Sequence, residues 1–346
     1  MRLVTVVGAR PQFVKAAVVG RVLAASDGVD HVLIHTGQHF DQRMSAQFFE
    51  DLKIPEADHN LAIAGGPHGQ MTGRMLEAIE QVLMDERAGA VLVYGDTNST
   101  LAGALAAAKL HLPVHHIEAG LRSFNRRMPE EVNRVLTDHV SRLLFCPTRT
   151  AVTNLEAEGI TEGVHHVGDV MFDAALFAKA AARGQASVVD ELGLAADGYV
   201  LLTLHRAENT DDPARLAELC CYIESQAAGR LVVFPVHPRT RKALERYGLS
   251  LSGVKMIEPV GYIEMHGLLD KAELVMTDSG GLQKEAYFHR VPCLTLREET
   301  EWVETIDAGW NRLWSSEDYL PRREIHAYGE GRAGEKIVEI IEADHA

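Results

Sequence analysis

An α/β fold of two doubly wound, Rossmann-like domains is what this chain predicts, and three observations carry the prediction. Short apolar runs alternate with helical patterns along its length, which implies parallel sheets with right-handed crossovers. The runs fall into two series, separated by the Gly-, Ala- and charge-rich segment Arg183–Gly198. A chain of 346 residues also suits two cores better than one. The expected domains are residues 1–185 and 186–346, with the last helical pattern, Gly334–Ala343, able to cross back onto the first. Two such domains facing a central cleft would turn the loops at their strand C-termini towards each other.

In the first series, strands are expected at Leu3–Val7, His31–His35, Ala90–Val93, Val114–Ile117 and Leu143–Cys146, with helices such as Gly69–Arg87 and Ser99–Leu110 between them. The second series has strands at Tyr199–Thr203, Leu231–Pro235, Lys255–Ile257, Leu274–Thr277 and Cys293–Leu296. Asp212-Pro213 reads as a helix start, with Asp as cap and Pro at the first helical position.

The formal net charge of -15 argues against nucleic acid and anionic membranes as partners. A small anionic ligand stays open, because a local Arg/Lys cluster can outweigh the global field. Cys146, Cys220, Cys221 and Cys293 are spaced like neither a disulfide framework nor a zinc site, so a reducing cytosol is expected. Arg10 and Lys15 follow the first strand at once, unlike a signal peptide, and no run of about 18 apolar residues offers a membrane span. No Gly-x-Gly-x-x-Gly fingerprint follows the first strand, and there is no Walker A or His-Glu-x-x-His motif, so no cofactor is expected. Metal is not expected either: His35 with His39, and His111, His115 and His116, match no standard ligand spacing.

Chemistry concentrates at the strand ends. Thr277-Asp278-Ser279-Gly280-Gly281-Leu282 joins a strand to a helix through a glycine turn, which makes an anion site from backbone N–H groups and the helix dipole. Ser279 adds a hydroxyl donor, and Glu285 lies one turn further, suited to ribose hydroxyls beside a diphosphate. The bland alternative is an ordinary β-turn-α corner. Gly8-Ala9-Arg10-Pro11 closes the first strand and sets Arg10 and Lys15 at a helix start, where cations imply a charged ligand. Asp96 and Glu118 fall at two further strand tips, and Glu130 and Glu131 in the first turn of the helix after Pro129. Asp96 or Asn98 could instead cap a helix, and one of the two glutamates could serve only the dipole. Clustered acids have split pKa values, as acid/base catalysis requires. His205 and His237 stand at two strand tips of the second series, His205 beside Arg206 and Glu208.

Taken together, GARPQFVK (Gly8–Lys15), HTGQH (His35–His39), GDTNS (Gly95–Ser99), HIEAGLRS (His116–Ser123), PEEVNR (Pro129–Arg134), LHRAEN (Leu204–Asn209) and TDSGGLQKEA (Thr277–Ala286) resemble the non-hydrolysing UDP-N-acetylglucosamine 2-epimerase family, in order and over most of the chain. The resemblance implies a GT-B architecture and C2 inversion of a UDP-2-acetamido sugar, by anti elimination of UDP and syn re-addition. It implies Asp96, Glu118, Glu130 and His205 as catalytic residues. It sets Arg10, Lys15 and Arg134 at substrate or active-site positions, Ser279 and Gly280 at the phosphates and Glu285 at the ribose; Gly281 of the same turn and His237 are expected to bind substrate as well. The loop SFNRRM (Ser123–Met128), Met265 and Glu301-Trp302-Val303-Glu304 look more like the branch acting on UDP-2,3-diacetamido-2,3-dideoxy-glucuronate in surface-polysaccharide synthesis, although the short loop is also similar to archaeal enzymes of the plain type. A cytoplasmic homodimer is expected.

Three other readings compete: a GT-B glycosyltransferase using a UDP-sugar, a hydrolysing epimerase releasing free sugar, and a non-enzymatic UDP-sugar sensor. The three acids of the first half discriminate against the transferase, which needs one base at most, and with His205 against the sensor.

Overall fold

The computed structural model describes residues 1–26, 28–38, 56–183, 188–194 and 198–345, with the side chain of Arg10 outside that description. Two compact units result, Met1–Ala174 with His326–Ala346, and Ala175–Ile325.

The first unit holds, among the described residues, a seven-stranded sheet. Its strands are β1 (Arg2–Val7), β2 (Asp30–His35), β3 (His59–Asn60), β4 (Ala90–Tyr94), β5 (Val114–Ile117), β6 (Leu143–Cys146) and β7 (Val164–His166). The order is β3-β2-β1-β4-β5-β6-β7, and the pairings are parallel. The second unit repeats the plan with β8 (Val200–Thr203), β9 (Val232–Pro235), β10 (Val254–Ile257), β11 (Leu274–Thr277), β12 (Cys293–Thr295) and β13 (Asn311–Leu313), in the order β10-β9-β8-β11-β12-β13. Both sheets reverse direction of growth at one point, between β1 and β4 and between β8 and β11. A doubly wound sheet opens its ligand crevice at the carboxyl ends of the strands flanking that point. Those ends carry Gly8–Lys15, Gly95–Ser99, Leu204–Asn209 and Asp278–Gly281, the segments singled out by their chemistry.

Both faces of the sheets are covered. Val4, Val6, Val91 and Val93 pack with Met75, Ile79 and Leu83 of the helix His68–Asp85 and with the alanines of Asn98–Lys109. In the second unit Leu202, Phe234 and Met276 face one core, while Leu201, Val233 and Val275 face the other. Among the described residues no helix is long and apolar enough to cross a membrane.

The division between units departs from the expected 185/186 boundary. It falls at 174/175, inside the helix Val170–Arg183, which continues from one unit into the other. The segment read as a linker is not one where it is described: Val188–Glu191 is helical, and Val189 and Leu194 are buried against Tyr199 and Leu268. Residues 184–187 and 195–197 lie outside the described residues. The final helix, Ala333–Asp344, belongs to the first unit, where Asp173 accepts a hydrogen bond from Gly334 N at 2.8 Å.

Candidate functional site

In the first unit, Asp96, Glu118, Glu130 and Lys15 line a single cavity of about 200 Å³, with Gln12, Gln38, His68, Asn98 and Asn133. Asp96 and Glu118 come from the tips of β4 and β5, Glu130 from the first turn of the helix Pro129–Val140, and Lys15 from the helix Arg10–Ala24. Asp96 is free to face the cavity because Thr97, neither Asp96 nor Asn98, caps the next helix, its side chain accepting from Thr100 N. Arg134 pairs with Asp96 and, at 2.8 Å, with Glu131. The Asp96 side chain keeps 32% of its surface, yet protein crowds the carboxylate. Burial raises its pKa above the ordinary carboxylate range; Arg134 opposes this and Glu118 reinforces it.

Glu118 adopts φ +71, a left-handed conformation that costs a non-glycine residue about 1 kcal/mol or more. The twist sends its carboxylate to the buried Lys15 ammonium. Gly95 (φ +62) comes so close that a Cβ there would stand 3.1 Å from Glu118 Oε2. The turn is held from beneath by a buried chain. His116 Nε2 bonds Gly95 O at 2.7 Å, and its Nδ1 bonds Asp138 Oδ1 at 2.7 Å. Asp138 Oδ2 accepts from Gly120 N at 3.1 Å and from Arg122 Nη1 at 2.6 Å, and Arg122 grips Glu158 through two further bonds. Burial opposes charge on Asp138, but His116 and Arg122 outweigh it and hold its pKa below the usual value. Arg122 is thus a structural cation, separated in role from the exposed Arg126 and Arg127 of the same loop.

Of the two acids after Pro129, Glu131 is the structural one. It is buried and accepts from Ser123 N, Ser123 Oγ and Phe124 N at 2.9–3.0 Å, while Glu130 is exposed to the cavity. The Gly8-Ala9 turn is not left open for an anion: Gln12 Oε1 accepts from Gly8 N at 2.8 Å and Ala9 N at 3.0 Å. Its Nε2 donates to Tyr94 O and to Thr97 and Thr100 hydroxyls, stitching the β1 tip to the β4 tip. Sequence reasoning passed over Gln12; the signal was a Gln at the third helical position after a glycine turn.

In the second unit, Asp278 is fully buried at the β11 tip. Its carboxylate accepts from His205 N at 3.0 Å, Arg206 N at 2.8 Å and Asn209 Nδ2 at 3.2 Å, and meets His205 Nδ1 at 3.1 Å. Burial works against this charge, yet the His205 contact and the backbone donors hold the Asp278 pKa below its ordinary value. His205 is therefore oriented through Nδ1, with a half-exposed ring. Ser279 caps the helix Gly280–Phe288, its Oγ accepting from Leu282 N at 3.5 Å, which leaves the hydroxyl hydrogen free to donate. A Cβ at Gly280 would lie 2.2 Å from Glu301 Oε1, so that carboxylate would have to swing aside; around Gly281 the space is open. Glu285 is buried one turn along. His237 caps the helix Pro238–Tyr247 through Nδ1, at 3.2 Å from Arg239 N. Burial, then His205 and Arg239, lower its pKa. Arg297 holds Glu301 at 2.9 Å.

His35 is stacked on Phe13, His39 lies outside the described residues, and His116 is engaged by Asp138. One group of three possible ligands does gather from distant sequence, His115, Asp344 and His345. Arg142 already holds both Asp344 oxygens, and the two imidazoles meet at 3.2 Å as hydrogen-bonding partners do.

A three-acid cavity beside one doubly wound sheet, and a capped, glycine-started helix with an Asp-oriented histidine beside another, define an acid/base enzyme of nucleotide-linked substrates. Comparison with known proteins gives the family. Residues 21–342 match the profile described as UDP-N-acetylglucosamine 2-epimerase. A UDP-2,3-diacetamido-2,3-dideoxy-D-glucuronate 2-epimerase of Pseudomonas aeruginosa is 56% identical over 90% of this chain and 88% of its own. A UDP-N-acetylglucosamine 2-epimerase of Methanocaldococcus jannaschii is 43% identical over 99% of both chains. A crystal structure of the Methanocaldococcus jannaschii UDP-GlcNAc 2-epimerase with UDP-GlcNAc and UDP superposes with a TM-score of 0.85 over 99% of both chains, at 41% identity. The chain belongs to the UDP-N-acetylglucosamine 2-epimerase family, with its GT-B fold class, and is an isomerase acting at C2 of UDP-sugars.

Proposed function

We propose that this chain interconverts UDP-2,3-diacetamido-2,3-dideoxy-glucuronate and its manno epimer, for surface-polysaccharide synthesis. The observation that carries the choice of sugar is the pair Arg126 and Arg127, exposed on the loop that leads into Glu130 while the neighbouring Arg122 is locked away. A C6 carboxylate carries a charge that a hydroxymethyl group lacks, and guanidinium is suited to it. The Pseudomonas relative, which is named for this uronate, supports the same choice. Archaeal relatives named for UDP-N-acetylglucosamine, at 45% and 43% identity, make the plain sugar the second reading.

The reaction follows from sugar chemistry. The C2 hydrogen is not beside a carbonyl and becomes removable only as the C1–O bond to UDP breaks and positive charge grows at C1. The departing diphosphate then needs the helix start at Ser279–Gly281 and cations, for which Arg10 is assigned; His205 and His237 serve the same phosphates. Glu285 takes the ribose. Asp96, Glu118 and Glu130 supply the base that removes the C2 proton and the acid that returns one to the other face, with Lys15 and Arg134 setting their charge. A cytoplasmic location is part of this reading, supported by four free cysteines. So is a homodimer, supported by Met128, Val132 and Leu136, which stand 38–45% exposed along one face of Pro129–Val140.

Turnover in heavy water of each UDP-sugar, followed by proton NMR, tests both claims. Faster conversion of the uronate, with solvent deuterium entering at C2, is the expected result. Retention of the original C2 hydrogen would overturn the elimination mechanism, and exclusive conversion of UDP-N-acetylglucosamine would overturn the uronate.

A further inference from the structure

Part of the acid cavity is lined by uncharged groups that proton transfer does not use, and their hydrogen bonds run in only one sense. Asp96 O is a backbone carbonyl and can only accept, so Asn133 must turn its amide nitrogen to it, at 2.9 Å. The second hydrogen of Asn133 Nδ2 goes to Asn98 Oδ1 at 3.2 Å. With its oxygen placed there, Asn98 presents Nδ2 to His68 Nδ1 at 3.1 Å. An amide nitrogen can only donate, so His68 Nδ1 must accept, and the ring's hydrogen stands on Nε2. Turning either amide over would set two donors or two acceptors face to face along the line.

Asn98 and Asn133 are buried, and with His68 they line the same cavity as Asp96, Glu118 and Glu130. His68 is the exposed first residue of the helix His68–Asp85. Its Nε2 has no hydrogen-bond partner among the described residues. The ring is therefore no base: Nε2 carries the hydrogen, and the Nδ1 lone pair is spent on Asn98. It is a neutral donor with other neutral donors beside it. Asn98 Nδ2 keeps a second hydrogen. Gln38 Oε1 accepts from Ser99 N at 3.0 Å and Ser99 Oγ at 2.8 Å, which leaves its amide hydrogens to donate. The cations here are committed, Lys15 to Glu118 and Arg134 to Asp96 and Glu131. This lining suits an uncharged acceptor. A 2-acetamido sugar brings one, its amide carbonyl, beside the carbon on which the acids must act.

We propose that His68 is a further substrate-binding residue, its Nε2–H donating to the carbonyl oxygen of the C2 acetamido group. Asn98, itself oriented by Asn133, is the positioning residue that holds the ring in this tautomer. The contact serves the uronate and the plain sugar alike, since both carry that group. It rests on the sugar ring lying in the acid cavity, as proposed above.

The test uses the full chain with the UDP-acetamido sugar that it converts, UDP and UDP-glucose as competitive inhibitors, and ¹⁵N NMR of His68. UDP-glucose has a hydroxyl in place of the acetamido group. At pH 8 the unmodified chain should show hydrogen on Nε2 alone; hydrogen on Nδ1 would overturn the proposal. His68→Leu should lower kcat/KM about fivefold, the worth of a neutral hydrogen bond, while inhibition by UDP and by UDP-glucose stays within about twofold. His68→Gln, whose amide can accept from Asn98 and donate onward, should recover most of that loss. Asn98→Asp sets an oxygen where the amide nitrogen stood and should bring a hydrogen onto His68 Nδ1; an unchanged ring would remove the positioning role. Equal losses on the sugar and on either inhibitor would assign the ring to the nucleotide or the fold and overturn the proposal. If Glu118→Gln leaves turnover intact, the cavity is not the sugar site, and that reading falls together with the contact. If Glu118→Gln stops turnover but His68→Leu leaves kcat/KM unchanged, the contact alone falls.

Discussion

Asp278→Asn is the sharpest perturbation of the site, because it keeps shape and changes only which atoms can donate. Asp278 has no exposed surface, and its two oxygens accept from two backbone N–H groups and the Asn209 amide while facing His205 Nδ1. One oxygen takes Arg206 N, Asn209 Nδ2 and the shorter His205 N contact, so the amide oxygen of an introduced Asn must stay there. The amide NH₂ is then forced to the other position, 3.1 Å from His205 Nδ1. A ring nitrogen that donated to a carboxylate must now accept, so the ring is held as the neutral Nε2–H tautomer and cannot keep the Nδ1 hydrogen that a doubly protonated, cationic ring needs while it donates from Nε2 to a departing diphosphate. Restoring the productive form against this contact costs about 2–3 kcal/mol, the worth of a hydrogen bond to a charged group, or about 30- to 150-fold in rate. Loss of the buried charge's own bonds should lower stability by about 1–3 kcal/mol. Steady-state turnover of either UDP-sugar, UDP calorimetry and thermal melting on one preparation give the three quantities. A variant that melts lower but turns over within threefold of the original would refute the tautomer argument; a rate loss matched by an equal loss of folded protein would do the same.

Glu118→Gln should lower kcat by about 10²-fold while UDP affinity stays near its original value, because Glu118 and the capped helix lie in different units; calorimetry with UDP checks the separation. Replacing Arg126 and Arg127 together by Gln should cost the uronate substrate about 10²-fold or more in kcat/KM and UDP-N-acetylglucosamine much less, measured side by side; equal losses would assign these arginines to the phosphates or the fold. Stability should fall between pH 6.5 and 4 by about 3 kcal/mol from His115 alone. Burial first, then His345, depresses its pKa from 6.5 to about 4, so the unfolded chain binds the proton more readily and the contribution present above pH 6.5 is lost as pH falls. His115→Asn should flatten the slope of urea midpoint against pH in that window.

Much of this architecture is legible in the sequence because parallel sheets buried on both faces write themselves as apolar runs. The strands at Val114–Ile117, Leu143–Cys146 and Leu274–Thr277 coincide with the runs that predict them. The strands that were not expected, His59–Asn60, Val164–His166 and Asn311–Leu313, are two or three residues long and end their sheets, where one neighbour suffices and no apolar run is needed. The helix Pro129–Val140 shows why the acids could not be sorted in advance. Its apolar Val132 and Leu136 are 42% and 45% exposed, while Glu131, Asn133 and Asp138 are buried. Ordinary phasing by hydrophobicity turns that helix inside out, because the polar face packs against the strand tips that it must organise. Pairs such as His116–Asp138, His205–Asp278 and His266–His289 join residues 22, 73 and 23 positions apart, and spacing alone carries no trace of them.

The two units also share a device that neither sequence half announces. Each has a deeply buried aspartate, Asp138 in the first and Asp278 in the second, whose pKa is depressed although burial works against its charge. Each ties together the tips of neighbouring strands by accepting from a backbone N–H and from a histidine: Gly120 and His116 in one case, His205 and Arg206 backbone with the His205 ring in the other. A buried carboxylate is costly unless its bonds are complete, so strand tips fastened this way have few alternative arrangements. That rigidity suits a reaction in which C1–O cleavage and C2 deprotonation must be served by groups on separate loops. It also explains why Glu118 can hold a left-handed backbone at a tip whose neighbours on both sides, Gly95 through His116 and Gly120 through Asp138, are fixed by the same chain of bonds.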